Sequence, residues 1–170
     1  MKLRKFIATT ICEYLNVQNT INENNIIYHF VDEKKLINIL SKNELKPRWK
    51  HYIENIDRMV IGTSLTWDLN HNTVKNMEYP IRLIFDRHKL EQDYNSFLIN
   101  SNRVHLQTMA QLKPNLYDPT AYQYEDETPN ELFVEGLIKP LDKYIIDIEL
   151  LKSVSQETEN VIINFNRWKK

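Results

Sequence analysis

Residues 128–138 of this chain read Thr128-Pro129-Asn130-Glu131-Leu132-Phe133-Val134-Glu135-Gly136-Leu137-Ile138. The pattern is that of a strand that begins abruptly after a polar loop, because Pro129 blocks a helix and holds its predecessor extended. The apolar triplet after Glu131 suits a pleated, half-buried surface. Alternation places Glu131, Phe133 and Glu135 on one face. We therefore predict a strand whose first carboxylate, Glu131, is a candidate for chemistry. The alternative is that both glutamates are exposed positions on an edge strand.

The composition is that of an ordinary globular domain. The chain has 170 residues, of which 42% are hydrophobic and 26% charged, so it can bury one sizeable core. Its net charge of −1 provides no global attraction to nucleic acid or anionic lipid, and such a partner would need a local patch. We expect one main domain over residues 23–170, preceded by a helix and a connector over residues 1–22.

The N-terminal residues predict a helix, not a secretion signal. An amphipathic pattern covers residues 3–17, and Thr9, Thr10 and Glu13 interrupt the apolar run that a signal peptide needs. No apolar run approaches the ~20 residues that span a bilayer. The single cysteine, Cys12, excludes an internal disulfide and fits a reducing cytosol. The predicted location is cytoplasmic, with no membrane partner.

Residue counts exclude several kinds of site. There are two glycines, Gly62 and Gly136, and they are far apart. A glycine-rich dinucleotide fingerprint and a phosphate-binding P-loop each need two or three glycines within one short loop, so neither is present. The five histidines and the carboxylates show no ligand spacing such as His-Glu-x-x-His. We therefore predict no metal.

The first half of the chain predicts three strands and one capped helix. The strands cover residues 26–30, 60–66 and 80–86. The helix covers residues 33–42, because Asp32 is a suitable N-cap and Asn43 a suitable stop. Residues 48–58 mix aromatic and charged groups without a clear period, and we expect a short helix or a loop over a groove.

The second half predicts more strand than helix. A helical turn is expected over residues 87–93, and residues 94–127 form a loop-rich stretch of the kind that covers a site. Strands are predicted over residues 143–150 and 159–165. Because helices come early and strands late, without regular alternation, we predict an α+β domain with mainly antiparallel sheets.

Three polar clusters fall on predicted strands. They are Tyr28-His29, the pair Ser64 and Thr66, and Glu131. A histidine on an apolar strand is often a hydrogen-bonded core residue, and a Ser-x-Thr pair is often a cross-strand hydrogen-bonding pair. Each cluster alone therefore has a structural explanation, and their combination points to a site.

The order of the three clusters resembles that of the ADP-ribosyltransferase superfamily, especially its small phage and bacterial members. The likeness rests on Tyr28-His29 before a helix, on Glu131 at the start of a late strand, and on a central strand that reads Gly62-Thr63-Ser64-Leu65-Thr66-Trp67-Asp68. A fourth match is the predicted strand before Arg87-His88-Lys89-Leu90. The resemblance covers residues 26–150. Three positions depart from the family pattern, namely Val31, Trp67 and Pro129.

The resemblance implies a fold and an activity. The implied fold is a split core of two mainly antiparallel sheets with helices packed at the N-terminal side. The implied activity is transfer of ADP-ribose from NAD, the substrate, to a macromolecular acceptor. A protein acceptor is favoured over a nucleic acid, and the site of action would be the host cytoplasm if the gene is phage-encoded. Pro129 stands where arginine-directed members often carry an acidic or amide residue, so the resemblance does not assign arginine as the target.

The resemblance also assigns roles to residues. Glu131 would stabilise the sugar cation of the transition state, with Glu135 as its rival. His29 would bind a ribose hydroxyl, and Ser64 and Thr66 would brace the glutamate and the pocket wall. The remaining cofactor contacts are expected from aromatic and cationic side chains, namely Tyr28 or Trp67, with Trp49 and Tyr52 as alternatives, and Arg82, with Arg48 and Arg103 as alternatives.

Two other functions remain open from the sequence. The first is NAD hydrolysis, in which water is the acceptor. The second is a non-catalytic module with this fold that binds a protein or nucleic acid, which the departures at Val31, Trp67 and Pro129 would explain.

Overall fold

The computed structural model describes residues 25–67, 69, 79–113 and 128–169. The strands are β1 (Ile26–Val31), β2 (Trp49–Ile53), β3 (Arg58–Thr66), β4 (Ile81–Asp86), β5 (Ser96–Ile99), β6 (Glu131–Glu135) and β7 (Ile145–Leu150). The helices are α1 (Glu33–Lys42), α2 (Arg87–Asp93), α3 (Ser101–Leu112) and α4 (Gln156–Trp168). The predicted N-terminal helix and connector, residues 68 and 70–78, and residues 114–127 of the predicted loop-rich stretch lie outside the described residues.

The strands form one antiparallel sheet. Their order is β5-β6-β3-β1-β4-β7, and β2 pairs with β3 beside this path. Strand β3 is the longest at nine residues, and it changes partner along one edge. Its residues 58–62 pair with β2, whereas Thr66 pairs with Tyr28 of β1. The other edge of β3 pairs with β6 over residues 62–66.

Helices cover both faces of this sheet. On one face α1 and α4 contribute Leu36, Leu40 and Phe165 to the main core, which also contains Ile27, Leu83, Leu132 and Val134 from the strands. On the other face α3 packs over β2, β3, β5 and β6, and a second cluster forms from Ile53, Val60, Ile99, Val104 and Phe133. No helix among the described residues is long and apolar enough to cross a membrane.

The α+β class and the mainly antiparallel pairing are confirmed. The described strands belong to one seven-stranded sheet, where two sheets were expected. The expected placement of helices at the N-terminal side is wrong for this part of the chain, because α3 and α4 come late and lie on opposite faces. Strand β1 and helix α1 form where predicted. Asp32 caps Lys35 N, and Asn43 ends α1 in the left-handed region at φ 51°.

The prediction of a helix or loop over residues 48–58 is wrong. Strand β2 occupies Trp49–Ile53, and a 3₁₀ turn over Glu54–Ile56 leads into β3. Asp57 closes this hairpin at φ 48°, and its N–H donates to the carbonyl of Glu54 at 3.1 Å. Each residue of β2 is opposite one residue of β3, so successive side chains of β2 point to opposite faces of the sheet.

The predicted final strand over residues 159–165 is a helix. Ser155 caps α4, because its hydroxyl accepts a hydrogen bond from Thr158 N. The buried or partly buried positions are Thr158, Val161, Ile162 and Phe165, a spacing of three and four. That spacing is helical, whereas the short apolar run at 161–163, read by itself, also fits the strand that was predicted.

A carboxylate joins the starts of α1 and α4. One oxygen of Glu33, Oε2, accepts from Ser155 N at 2.8 Å, Ser155 Oγ at 2.6 Å and Thr158 Oγ1 at 2.6 Å. These hydrogen bonds lower the pKa of Glu33. The negative charge also lies at the N-terminus of α4, where the helix dipole favours it.

Thr158→Val is expected to lower the free energy of unfolding by about 1–2 kcal/mol, because valine keeps the buried volume and removes a hydroxyl that Glu33 needs. Urea unfolding followed by circular dichroism measures this loss. The matched variants are Glu33→Gln and the double variant. If the hydrogen bond is the cause, the two changes are less than additive. Full additivity would contradict it.

Candidate functional site

Three neighbouring strands carry the polar residues singled out in the sequence. Strand β3 lies between β6 and β1. Its Thr66 is opposite Glu131 across one edge and opposite Tyr28 across the other. Residues opposite each other in antiparallel strands share a face at about 4.5–5.5 Å between Cα atoms. Tyr28, Thr66 and Glu131 therefore form a short row on one face of the sheet.

Ser64 lies on the same face as this row. It is opposite Phe133 of β6, two residues along from Thr66 and Glu131. His29 belongs to the other face, because it follows Tyr28 and is opposite the buried core residue Leu83. The structure thus brings Glu131, Thr66, Ser64 and Tyr28 to one face, and it places the His29 ring at the opposite side of β1.

His29 nonetheless contacts the strand that carries Ser64. Beyond Tyr28 the strands β1 and β3 separate, and on the same edge Arg48 N donates to the carbonyl of Gly62 at 2.9 Å, where β2 begins. We call the gap between β1 and β2 along β3, floored by residues 63–65, the notch. At its β1 side the Nδ1 atom of His29 lies 3.3 Å from the carbonyl oxygen of Ser64.

This contact fixes the tautomer of His29. A carbonyl oxygen only accepts, so Nδ1 carries the hydrogen and Nε2 of the neutral ring keeps its lone pair. Burial lowers the pKa of His29 to about 4, and the nearby Arg48 and Lys35 lower it further, against the raising effect of the Ser64 carbonyl. The ring is therefore neutral at pH 7 and presents Nε2 as an acceptor for a hydroxyl.

Acidification is expected to destabilise the fold through His29. The folded-state pKa of about 4 lies below the unfolded value near 6.5, so protons bind the unfolded chain first, and stability falls as pH drops from about 6.5 towards 4. The loss from this residue is about 1–2 kcal/mol between pH 7 and pH 5, since part of the side chain remains exposed. His51 adds to it, because burial lowers its pKa to about 4 as well.

Melting temperatures at pH 7 and pH 5 measure this effect. His29→Gln is expected to reduce the difference between the two temperatures, whereas His88→Gln, a change on the exposed helix α2, leaves it as in the wild type. An unchanged pH dependence in His29→Gln would show that this ring is not the acid-sensitive group.

The residue before Glu131 is held from three sides. Asn130 is buried, and its backbone N–H donates to Ile99 of β5 at 3.0 Å. Its carbonyl accepts from the Thr66 hydroxyl at 3.1 Å. Its side-chain oxygen accepts from Ser101 N at 2.9 Å, at the start of α3. Glu131 therefore starts its strand from a backbone position with little freedom.

Glu135, the alternative to Glu131, forms an ion pair within the fold. Glu135 receives both guanidinium nitrogens of Arg58 at 2.8 Å, and Asn95 Nδ2 donates to it at 3.3 Å. The Arg58 hydrogen bonds lower the pKa of Glu135. It stands at the far end of β6, opposite Gly62, away from Thr66 and Tyr28.

Two of the predicted cofactor contacts are also engaged elsewhere. Arg82 is paired with Glu149 of β7, and its guanidinium lies 4.8 Å from the centre of the Tyr28 ring. Trp67 packs against the main core, with the Arg87 guanidinium 4.9 Å from its ring centre. Arg82 is opposite Phe30, two residues from Tyr28, so Tyr28 and Arg82 both belong to the face that bears Glu131.

The other two arginines considered for the pyrophosphate differ in position. Arg103 lies on α3 and bonds Glu54 at 3.2 Å. Arg48 borders the notch and acts electrostatically on His29. Arg48 is therefore the better placed of the two for a phosphate in the notch.

Two cavities lie away from the candidate site. One of about 270 Å³ is lined by residues of the β2–β3 turn and β5, namely Ile56, Arg58, Asn95, Ser96 and Phe97. Another of about 180 Å³ lies between that turn and α3. Neither is lined by His29, Ser64, Thr66 or Glu131, so the site is assigned from strand order and chemistry. Comparisons with protein-family models, curated proteins and solved structures each found no match to this chain.

Three features of the candidate site were not predicted from the sequence. Asn130 was not singled out, although asparagine side chains often form hydrogen bonds with nearby backbone groups. The notch exists because β3 changes its partner strand along one edge, and no local sequence pattern predicts that change. Lys35 near His29 comes from α1, whose packing on the sheet brings it there.

Proposed function

We propose that this protein is a mono-ADP-ribosyltransferase that moves ADP-ribose from NAD to a macromolecular acceptor. The observation that carries the proposal is the adjacency of β6, β3 and β1, which places Glu131 beside Thr66 and Tyr28 and brings His29 to the Ser64 carbonyl. The family resemblance requires these three motifs on neighbouring strands, although they are separated by up to 102 residues in the chain. The shared face of Tyr28, Thr66 and Glu131 supports a common site for these three residues, and His29 reaches strand β3 from the opposite side of β1 through the Ser64 carbonyl.

The chemistry suits a single carboxylate. The bond between ribose C1′ and nicotinamide breaks, and nicotinamide leaves as a neutral molecule with the electron pair, so no general acid is needed. The sugar becomes an oxocarbenium-like cation. The Glu131 carboxylate stabilises charge that appears only in the transition state, which raises the rate without tightening ground-state binding. An oxygen or nitrogen of the acceptor then bonds to C1′ and loses a proton to solvent.

The surrounding side chains fit binding roles. Nε2 of His29 accepts a hydrogen bond from a ribose hydroxyl, because the ring is neutral and its Nδ1–H is committed to Ser64. Thr66 holds the backbone of Asn130 and through it the start of β6. Arg48 at the notch is a bidentate donor suited to the pyrophosphate. Tyr28, backed by Arg82, offers a ring face for a base.

Glu131 supports this role better than Glu135 does. Glu135 already satisfies Arg58 and Asn95, and using it would break a bidentate pair. Glu131 is opposite Thr66 and shares a face with Tyr28, one strand further along the sheet. Pro129, two residues before it, removes the acidic or amide side chain that arginine-directed members often carry there, so the proposal does not name arginine as acceptor.

The test is incubation of the full chain with NAD labelled in the adenine and, separately, in the nicotinamide, with and without a cell lysate. Nicotinamide release together with adenine label on macromolecules is the expected result. Release with free ADP-ribose as the only product would make the protein an NAD glycohydrolase. No NAD consumption at any protein concentration would refute the proposal and favour a non-catalytic binding module.

A further inference from the structure

Strand β2 and the residues just before it carry a surface of which the proposed reaction uses only Arg48. The strand pairs with β3 alone among the described strands, so its other edge borders no strand of that part of the chain. Residues 45–53 contain three cations and no acidic residue, although the whole chain has a net charge of −1. Lys46, Arg48, Trp49 and Lys50 are all exposed. We call these four residues the β2 surface.

Two of these cations make no ion pair with a carboxylate of the described residues. Lys46 lies 3.7 Å from Glu44, but Arg48 and Lys50 have no such partner. The nearby carboxylate of Asp32 is paired with Lys35 at 2.7 Å, and Arg48 only lowers its pKa from a distance. Within the described part of the chain, the charges of Arg48 and Lys50 are therefore not neutralised by a carboxylate, and they are available to an anionic partner.

An exposed aromatic side chain lies beside the guanidinium of Arg48. Trp49 is 49% exposed, and the Arg48 guanidinium lies 5.5 Å from its ring centre. Its ring is nearly parallel to that of His51, with centres 6.2 Å apart. His51 in turn packs on the fully buried Phe133 at 4.9 Å. This row of rings connects Trp49 to the core, and about half of the Trp49 side chain stays exposed.

We propose that the β2 surface binds single-stranded nucleic acid. A charged backbone next to an unpaired base is the ligand that requires both unneutralised cations and an exposed ring, because bases stack on aromatic side chains while phosphates pair with lysine and arginine. An acidic protein segment would use the cations but leave Trp49 without a partner. A duplex hides its bases from such a ring.

The β2 surface borders the notch, which is the place assigned to NAD. Arg48 belongs both to the β2 surface and to the border of the notch. A strand bound along β2 would therefore pass beside the place assigned to NAD. If the proposed function holds, the acceptor is a single-stranded nucleic acid, in contrast to the protein acceptor expected from the resemblance. Binding itself does not depend on that function.

The test uses fluorescence anisotropy with labelled 20-nucleotide single-stranded DNA and RNA and no NAD. Trp49→Ala is expected to weaken binding by about tenfold, the scale of one lost stacking contact. Lys50→Ala is expected to reduce the slope of log K against log salt by about 0.7, the value for one phosphate contact on a single strand. Circular dichroism of each variant checks that the fold is retained.

The chain offers a matched control. Arg167-Trp168-Lys169 repeats the tripeptide Arg48-Trp49-Lys50 on α4, and Trp168 is 68% exposed. Trp168→Ala is expected to change the affinity by less than twofold. Equal losses in the two tryptophan variants, or no binding at low salt, would overturn the proposal. Binding of polyglutamate with the same dependence on Trp49 would also overturn it, since the surface would then belong to an acidic protein.

The two proposals fail in different ways. Loss of NAD turnover with intact oligonucleotide binding would refute the transferase and leave the β2 surface as a binding site. Intact turnover without oligonucleotide binding would do the reverse.

Discussion

Glu131→Gln is expected to lower the rate of nicotinamide release from NAD by about 100- to 1,000-fold, the scale for removing one preorganised group that stabilises transition-state charge. Glutamine keeps the shape of the side chain and one acceptor oxygen but loses the negative charge. The KM for NAD is expected to change little, because the cation exists only in the transition state. Release of labelled nicotinamide under single-turnover conditions measures the effect.

Glu135→Gln is the matched control for this change. It alters the same residue type on the same strand and the same face, and it disturbs only the contacts with Arg58 and Asn95. Its rate is expected to stay within about threefold of the wild type, because an exposed ion pair contributes little to stability. Equal losses in both variants, or full activity in Glu131→Gln, would remove Glu131 from the catalytic role.

Gly62→Ala is expected to destabilise the fold by about 3 kcal/mol or more, which lowers the melting temperature by roughly 6–12 °C for a chain of this size. A methyl group at Gly62 would lie 2.2 Å from the carbonyl oxygen of Val134 and 3.0 Å from the Phe133 ring. The nearer atom is backbone, in the strand that pairs with β3, so relief requires β3 and β6 to separate. Thermal unfolding by calorimetry measures the loss.

The second glycine provides the comparison. A methyl group at Gly136 meets no atom within 4 Å, but its φ of +80° is unfavourable for any other residue. Gly136→Ala is therefore expected to cost only the conformational term, about 1–2 kcal/mol. A smaller loss for Gly62→Ala than for Gly136→Ala would mean that β6 can yield at this point.

Local signals explain which elements could be predicted. Asp32 and Asn43 mark the ends of α1 through their own backbone contacts, so the sequence was sufficient there. The alternation in β4 reports burial directly, because its odd-numbered residues face the core and the others do not. Strand β6 was predicted from Pro129 and the apolar triplet, which are local as well.

Elements that depend on distant partners were not predicted correctly. Helix α4 begins where Ser155 and Thr158 bond Glu33, more than 120 residues earlier. Nothing within the segment shows that partner, and a run of three apolar residues fits either a strand or a buried helix turn. Strand β2 presents the same difficulty, because its strand conformation is defined by pairing with β3 and not by a pattern within its own residues.

The sequence indicated which residues belong to the candidate site, but it did not predict which of them share a face of the sheet. The sequence indicated His29, Ser64, Thr66 and Glu131, but not that Tyr28, one residue from His29, shares the face of Glu131. A shift of one residue in register exchanges the two faces of a strand, and the register of β1 against β3 rests on a single opposed pair.

The packing of α1 with α4 joins an early and a late segment of the chain in one core. Helix α1 emerges early, but Leu36 and Leu40 share their cluster with Phe165, which is translated more than 120 residues later. A nascent chain that stops before α4 leaves these leucines without Phe165, although their other core neighbours are already present. The main core is therefore complete only after residue 165 has been added.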